Sequence, residues 1–375
     1  MSSTKVLPLA DLLARDLDYI CGNLREEFGR MAGSTLLITG GAGFLGYYLV
    51  LAAVHFNRTA ARGQPIRITV WDNFARGEPQ WLRELGGEPN LRVQRCDLIE
   101  PLPHDMPEFR WIIHAAGIAS PPVYRKYPLK TIDANINGLR NLLDYSVRAQ
   151  ERGRPVEGFL FYSSSEIYGD PDPQWIPTPE DYRGNVSCTG PRACYDESKR
   201  FGETLCVVYA QQHGIATRMA RPFNNYGPGL KITDRRVIPD FARDILAGRD
   251  IVMYSDGSPM RTFCYSADAI TGYYKVLVRG RNGEPYNIGT AGPEISMAEL
   301  ARRITSVAHD TLGYGGRVVH QANQEAAYLV DNPSRRCPDV SKARAELGYE
   351  PTIGVDEGLA RTLNWYVHNP VAEDA

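Results

Sequence analysis

Apolar residues change their spacing along this chain, and the changes mark out its elements. Between residues 5 and 30, Leu9, Leu12, Leu13, Leu17, Ile20, Leu24 and Phe28 recur at helical spacing. Asp11, Arg15, Asp16, Arg25 and Glu26 fall between them, which predicts one or two amphipathic helices docked on the body or on a partner subunit. The pattern then shortens to compact apolar runs, the mark of strands buried in a parallel sheet. Strands are read over residues 35–39, 66–71, 91–95, 111–114, 158–162 and 216–220. Helical patterns lie between several of them, notably residues 47–56 and 131–150, the second carrying Asn135, Asn137 and Asn141. Strand and helix in alternation imply a parallel sheet with helices on both faces. After residue 224 glycine, proline and charge rise, and a further short run, 286–289, is expected to return to the sheet. The organisation read from the chain is a helical extension over 1–33, a core over 34–224, and a smaller lobe over 225–375 that gives some segments back to the core.

Composition narrows the classes. The chain has 375 residues, 43% hydrophobic and 23% charged, values of an ordinary globular protein. A net charge of −2 supplies no basic field for nucleic acid or an anionic membrane. Seven cysteines without metal-ligand spacing argue against a disulfide framework, and no metal site is expected. No apolar run reaches the length of a membrane span and no signal-peptide core is evident, so a cytoplasmic enzyme or binding protein is expected.

Candidate chemistry sits at the strand ends. Gly40, Gly43 and Gly46 separate the first strand from a helix, the context of a dinucleotide site, where glycine lets backbone approach a pyrophosphate at a helix N-terminus. Asp72 ends the second strand, where a carboxylate accepts hydrogen bonds from an adenosine ribose and repels a 2′-phosphate, favouring NAD over NADP. Arg76, four residues on, works against that preference. Asp97 and Leu98, after the third strand, are placed to hold an adenine. Ser164 and Glu166 follow the fifth strand, where a serine can bind a sugar hydroxyl and a glutamate can move a proton, or where both simply build a turn or helix cap. Tyr195 and Lys199 are four apart on a helix and share one face, so the ammonium is placed to favour the phenolate.

Together the stretches "TGGAGFLG", "CDL", "HAAG", "SSSEIYGDP", "YDESK", "RPFNNYGPG" and "DNPSRRCPDVSKARAELGYEP" resemble the extended short-chain dehydrogenase/reductase superfamily in its nucleotide-sugar epimerase/dehydratase branch, over residues 34–362. The resemblance implies a Rossmann-type doubly wound parallel sheet, NAD as cofactor and a homodimer. It implies that Tyr195, Lys199 and Ser164 oxidise a sugar carbinol at C4, with Glu166 acting afterwards. Phe44, Leu45, Asn73, Ala115 and Ala116 would join the glycines, Asp72, Asp97 and Leu98 around the cofactor. Ser165, Asn224, Arg236, Tyr254, Arg261 and Arg335 would hold the nucleotide sugar, Arg261 by clamping phosphate or by protonating the C5 enolate. "GNVSCTGPRACYDESKR" and "IASPPVYRKYP" look most like UDP-glucuronate decarboxylases. The alternatives are an NDP-hexose 4,6-dehydratase, a 4-epimerase, and a non-catalytic NAD-binding protein. Tyr47-Tyr48, an apparent insertion over 57–65, Leu230 and Arg235 depart from the decarboxylase pattern.

Overall fold

The computed structural model describes residues 6–103, 106–321 and 333–369. Residues 331 and 332, which open the last motif, lie outside the described residues. Six strands follow the expected runs: β1 (Thr35–Thr39), β2 (Arg67–Asp72), β3 (Leu91–Arg95), β4 (Trp111–His114), β5 (Gly158–Tyr162) and β6 (Thr217–Pro222). With the strand Glu284–Ile288 they form one parallel sheet in the order β3-β2-β1-β4-β5-β6 and then Glu284–Ile288. The chain leaves β1 to both sides, for β2 and for β4. The crevice at their carboxyl ends is therefore the switch point where such sheets bind ligands.

The segment past residue 224 returns to this core twice. Its strand Glu284–Ile288 borders β6, and the helix Ser266–Arg279, buried along its length except for Arg279, covers β5 and β6. The helices Val237–Leu246, Met297–Leu312 and Val355–His368 pack on one another.

The helix after the glycine turn runs Phe44–Thr59, longer than its hydrophobic pattern suggested. Asn57 explains the extension. Its side chain donates to the Ile66 carbonyl and accepts from the Ile66 amide, both at 2.8 Å, so part of the apparent insertion is helix tied to the start of β2.

Two helices, Leu9–Asn23 and Arg25–Met31, precede the sheet and pack on the body, against Phe44–Thr59, Ser266–Arg279 and Val355–His368. Asp16 is fully buried there. It accepts hydrogen bonds from the Tyr48 and Tyr265 hydroxyls, each at 2.5 Å, and pairs with Arg361. Glu27, also buried, meets Arg279 at 3.2 Å and Lys275 at 3.6 Å. A buried carboxylate stripped of its cation costs about 3–5 kcal/mol, so these pairs make docking of the extension all-or-none rather than loose. They also account for the unusual Tyr47-Tyr48. Tyr48 serves Asp16, while the Tyr47 ring packs edge-on against Trp81 and Trp365 at 5.0 and 5.9 Å.

Candidate active site

A cleft of about 2290 Å³ opens over the switch point. That exceeds the usual volume of a small-molecule pocket more than twofold, leaving room for two ligands. Eleven lysines and arginines line it against eight carboxylates, so the cleft is positive on a chain whose net charge is negative.

One end suits a dinucleotide. Gly40 takes φ +69°, and a Cβ there would stand 2.6 Å from the Ala116 backbone, so only glycine lets the turn lie against the loop after β4. At Gly46 a Cβ would collide with the Gly41 carbonyl, so glycine also permits the helix to start flush on the turn. Asp72 accepts from the Ala42 amide at 3.1 Å and from the Phe74 amide at 2.8 Å, which fixes its carboxylate at the end of β2. Asn73 donates to Asp97 at 3.2 Å, joining the loops after β2 and β3. Phe44, Leu45, Leu98, Ala115 and Ala116 line the same end. These residues fit NAD: a glycine cradle that side chains would fill, a carboxylate at the ribose position and an apolar floor.

Beyond it, the helix Ala193–His213 presents Tyr195 and Lys199 to the cleft. Its neighbour Pro128–Glu151 buries Asn135, which donates to Ser198 at 2.8 Å and so fixes how the two helices face each other. Arg221 of β6 forks onto Glu203 at 2.6 and 2.8 Å, tying the catalytic helix to the sheet. Ser164 serves two neighbours. Its hydroxyl accepts from the Glu166 amide at 3.2 Å, capping a short 3-10 turn, and it lies close enough to Tyr195 to favour the phenolate. The turn-cap and catalytic readings of this serine are thus compatible.

The electrostatics differ from the simple expectation for a phenol beside an ammonium. Burial pushes Tyr195 up to about 12, and the Ser164 hydrogen bond only partly opposes it. Burial also lowers Lys199 to about 7, while its Nζ donates to the Tyr162 carbonyl at 2.8 Å and lies 5.7 Å from the Tyr195 ring. Desolvation therefore outweighs the pairwise attraction. Further positive charge entering the cleft would favour the phenolate.

Glu166 is the focus of a second group. It pairs with Arg192 and accepts from Arg336 at 2.6 Å. Burial alone would raise its pKa, but the guanidiniums of Arg336, Arg192 and Arg261 overcome that and hold it at about 2. Glu166 is a fixed carboxylate at neutral pH, not the ready proton donor its position suggested. Behind it Asp196, 3.7 Å from Arg192, is pushed to about 7 by burial and then by the Glu166 charge. Arg261 donates to the carbonyls of Met260, Ser334 and Pro333 at 2.5–3.2 Å.

Ser165, Asn224, Arg236, Tyr254 and Arg261 all line the cleft, and Arg335 does not. Arg335 forks onto Glu294, with both contacts at 2.8 Å, and its neighbour Arg336 faces the site instead. The pair forms a two-residue strand, so their side chains point to opposite faces, and sequence alone gives no means to choose between them. Sequence reasoning also missed Arg192 and Tyr124. Arg192 precedes Tyr195 by three residues, a helical spacing that was available as a signal. Tyr124 stacks on Tyr195 with centroids 5.2 Å apart and planes at 9°, a contact made across the fold that no spacing reveals. Asn224 sits at φ +42°, a conformation rare outside glycine, and donates to the Thr262 carbonyl at 2.9 Å.

Residues 36–289 match the model of the NAD dependent epimerase/dehydratase family. A UDP-glucuronic acid decarboxylase 1 from Xenopus tropicalis is 35% identical, covering 88% of this chain and 72% of its own. UDP-glucuronic acid decarboxylase 3 from Arabidopsis thaliana is 37% identical, with 86% of each chain covered. Among solved structures, a dTDP-glucose 4,6-dehydratase from Streptomyces venezuelae, crystallised with NAD, superposes at TM-score 0.74 and 28% identity, covering 89% of this chain and 97% of its own. The glycine cradle, the serine–tyrosine–lysine group and these likenesses agree, and the chain belongs to the NAD-dependent epimerase/dehydratase family.

Proposed function

We propose that the protein converts UDP-glucuronate to UDP-xylose by oxidation at C4, decarboxylation and re-reduction. The observation that carries this reading is the group of three guanidiniums, Arg192, Arg261 and Arg336, around the carboxylate of Glu166 beside Tyr195, with Asp196 behind it on Arg192. Its surplus positive charge suits a sugar bearing a C6 carboxylate better than a neutral hexose. The decarboxylase relatives support the same substrate.

In this scheme Tyr195, as phenolate, takes the proton of the C4 hydroxyl while Ser164 holds that oxygen. NAD, when bound, supplies the hydride acceptor and donor that make the cycle redox-neutral, and its oxidised ring supplies positive charge. The C4 ketone makes the C6 carboxylate a β-keto acid. The C5–C6 bond breaks, carbon dioxide leaves, and its electron pair passes through C5 to the C4 oxygen as an enolate. The guanidiniums near Glu166 stabilise that anion, C5 takes a proton, and Tyr195 returns its proton to O4 on reduction. Dehydration would need an acid to protonate a departing C6 hydroxyl, a role that Ser165 does not offer.

Incubation with UDP-glucuronate, and separately with UDP-, dTDP- and GDP-hexoses, followed by product mass, tests the proposal. Loss of about 44 mass units, that of carbon dioxide, is expected from the first alone. Loss of water from a hexose, or conversion without a mass change, would replace the proposal with dehydration or epimerisation.

A homodimer belongs to the same proposal. The helices Pro128–Glu151 and Ala193–His213 leave Leu129 and Phe201 74% and 52% exposed beside Ile132, apolar surface suited to a second copy. Sedimentation at micromolar concentration should give twice the chain mass, and a purely monomeric profile would refute it. The cysteines, all free thiols, fit the reducing cytoplasm as its location.

A further inference from the structure

The segment Gly229–Arg236 belongs to the lobe, yet it lies across the dinucleotide end of the cleft. It touches three separate loops there. Gly229 sits on the first turn of the glycine-turn helix: a Cβ would stand 2.5 Å from Tyr47 Cβ and 2.9 Å from the Phe44 carbonyl. Lys231 Nζ donates to the Arg76 carbonyl at 2.6 Å, in the loop that follows Asp72. The Asp234 carbonyl accepts from Ser120 at 3.5 Å, in the loop that follows β4.

Asp234 is the centre of the arrangement. Its side chain is 1% exposed, and it accepts from two cations, one in the loop after β2 and one on its own segment. Arg76 reaches it at 3.2 Å from the cofactor side, and Arg236 at 2.5 Å from the lobe side, with the Arg236 guanidinium lying 5.5 Å over the Phe44 ring. A carboxylate this buried depends on both cations, so the segment is fastened rather than resting.

We infer that Arg76, Lys231 and Asp234 form a clasp that retains the dinucleotide. The Gly40–Gly46 turn and the loop after β2 bound the space for the pyrophosphate and adenosine ribose, and the fastened segment joins the two from above. A dinucleotide held between them leaves only after the Arg76–Asp234 pair and the Lys231 hydrogen bond open. Arg76, which as a lone basic residue near Asp72 pointed toward a 2′-phosphate, has its guanidinium directed at Asp234 instead. Retention suits a cycle in which the cofactor is regenerated at each turnover. The inference rests on NAD binding alone and stands whichever sugar nucleotide is used.

The test reads cofactor release without substrate. Protein saturated with radiolabelled NAD is chased with unlabelled NAD, and label remaining on the protein is followed after rapid gel filtration. Arg76→Ala, a change at a side chain half exposed to solvent, should speed release by about tenfold, and Lys231→Met by a smaller factor. Arg76→Lys should recover part of the retention, and raised salt should speed release from the unmodified protein more than from Arg76→Ala. Release unchanged within twofold in both Arg76→Ala and Lys231→Met, with circular dichroism showing intact folds, would overturn the clasp.

Discussion

Tyr195→Phe should lower turnover by roughly 10³-fold while leaving NAD binding nearly intact, as removal of a positioned acid–base group does. The change deletes one oxygen. The ring still stacks on Tyr124 and still fills its place on the helix Ala193–His213, so the fold and the cleft persist. What is lost is the phenol beside Ser164 that would hold the C4 proton between oxidation and re-reduction. The measurement is steady-state formation of product, with cofactor content checked by absorbance after gel filtration. The unmodified protein should also show a pH dependence of known sign. Burial places the phenol at about 12 in the free protein, so its basic form, and with it the rate of C4 oxidation, grows as pH rises. NAD and its positive ring move that rise to lower pH. Wild-type turnover in Tyr195→Phe would remove this phenol from the mechanism.

Lys199→Met should separate activity from stability. Turnover falls about 10²-fold or more, because the cation beside the phenol is gone. Thermal stability should increase. Burial depresses Lys199 from 10.5 to about 7, so between those values the unfolded chain binds the proton and the folded protein does not. Stability then rises with pH across that window, and below about 7 the folded state carries the full cost of an ammonium out of water. A methionine of similar length removes that cost. A rise in Tm of about 2–5 °C at pH 6–7 is expected by calorimetry, with less gain at pH 10. A lower Tm at neutral pH would mean that the bond to the Tyr162 carbonyl outweighs the desolvation it accompanies.

Where the chemistry depended on local spacing, the chain was informative. The strand runs at 111–114 and 158–162 coincide with observed strands because an apolar stretch four or five residues long between turn residues has few other uses in a buried sheet. The glycine turn was legible because its context, strand before and helix after, was legible too. Contacts made through the fold were not. No spacing shows that Arg336 rather than Arg335 faces Glu166, since adjacent residues on a strand differ only in the face they take. Nor does any local pattern show that burial exceeds the Tyr195–Lys199 attraction, because desolvation is set by everything packed around a group. Tyr47-Tyr48 looked like a departure from a cofactor motif. It is better described as the other half of Asp16, more than thirty residues earlier in the chain.

That last pairing bears on how the molecule comes into being. Asp16 leaves the ribosome 345 positions before its cation, Arg361. Until Arg361 is made, the acidic helix has two of its partners at most, Tyr48 and Tyr265, and burying its charge is costly. Docking of that helix is therefore expected to be completed only once Arg361 has emerged, and the cofactor helix that carries Tyr48 gains that support last.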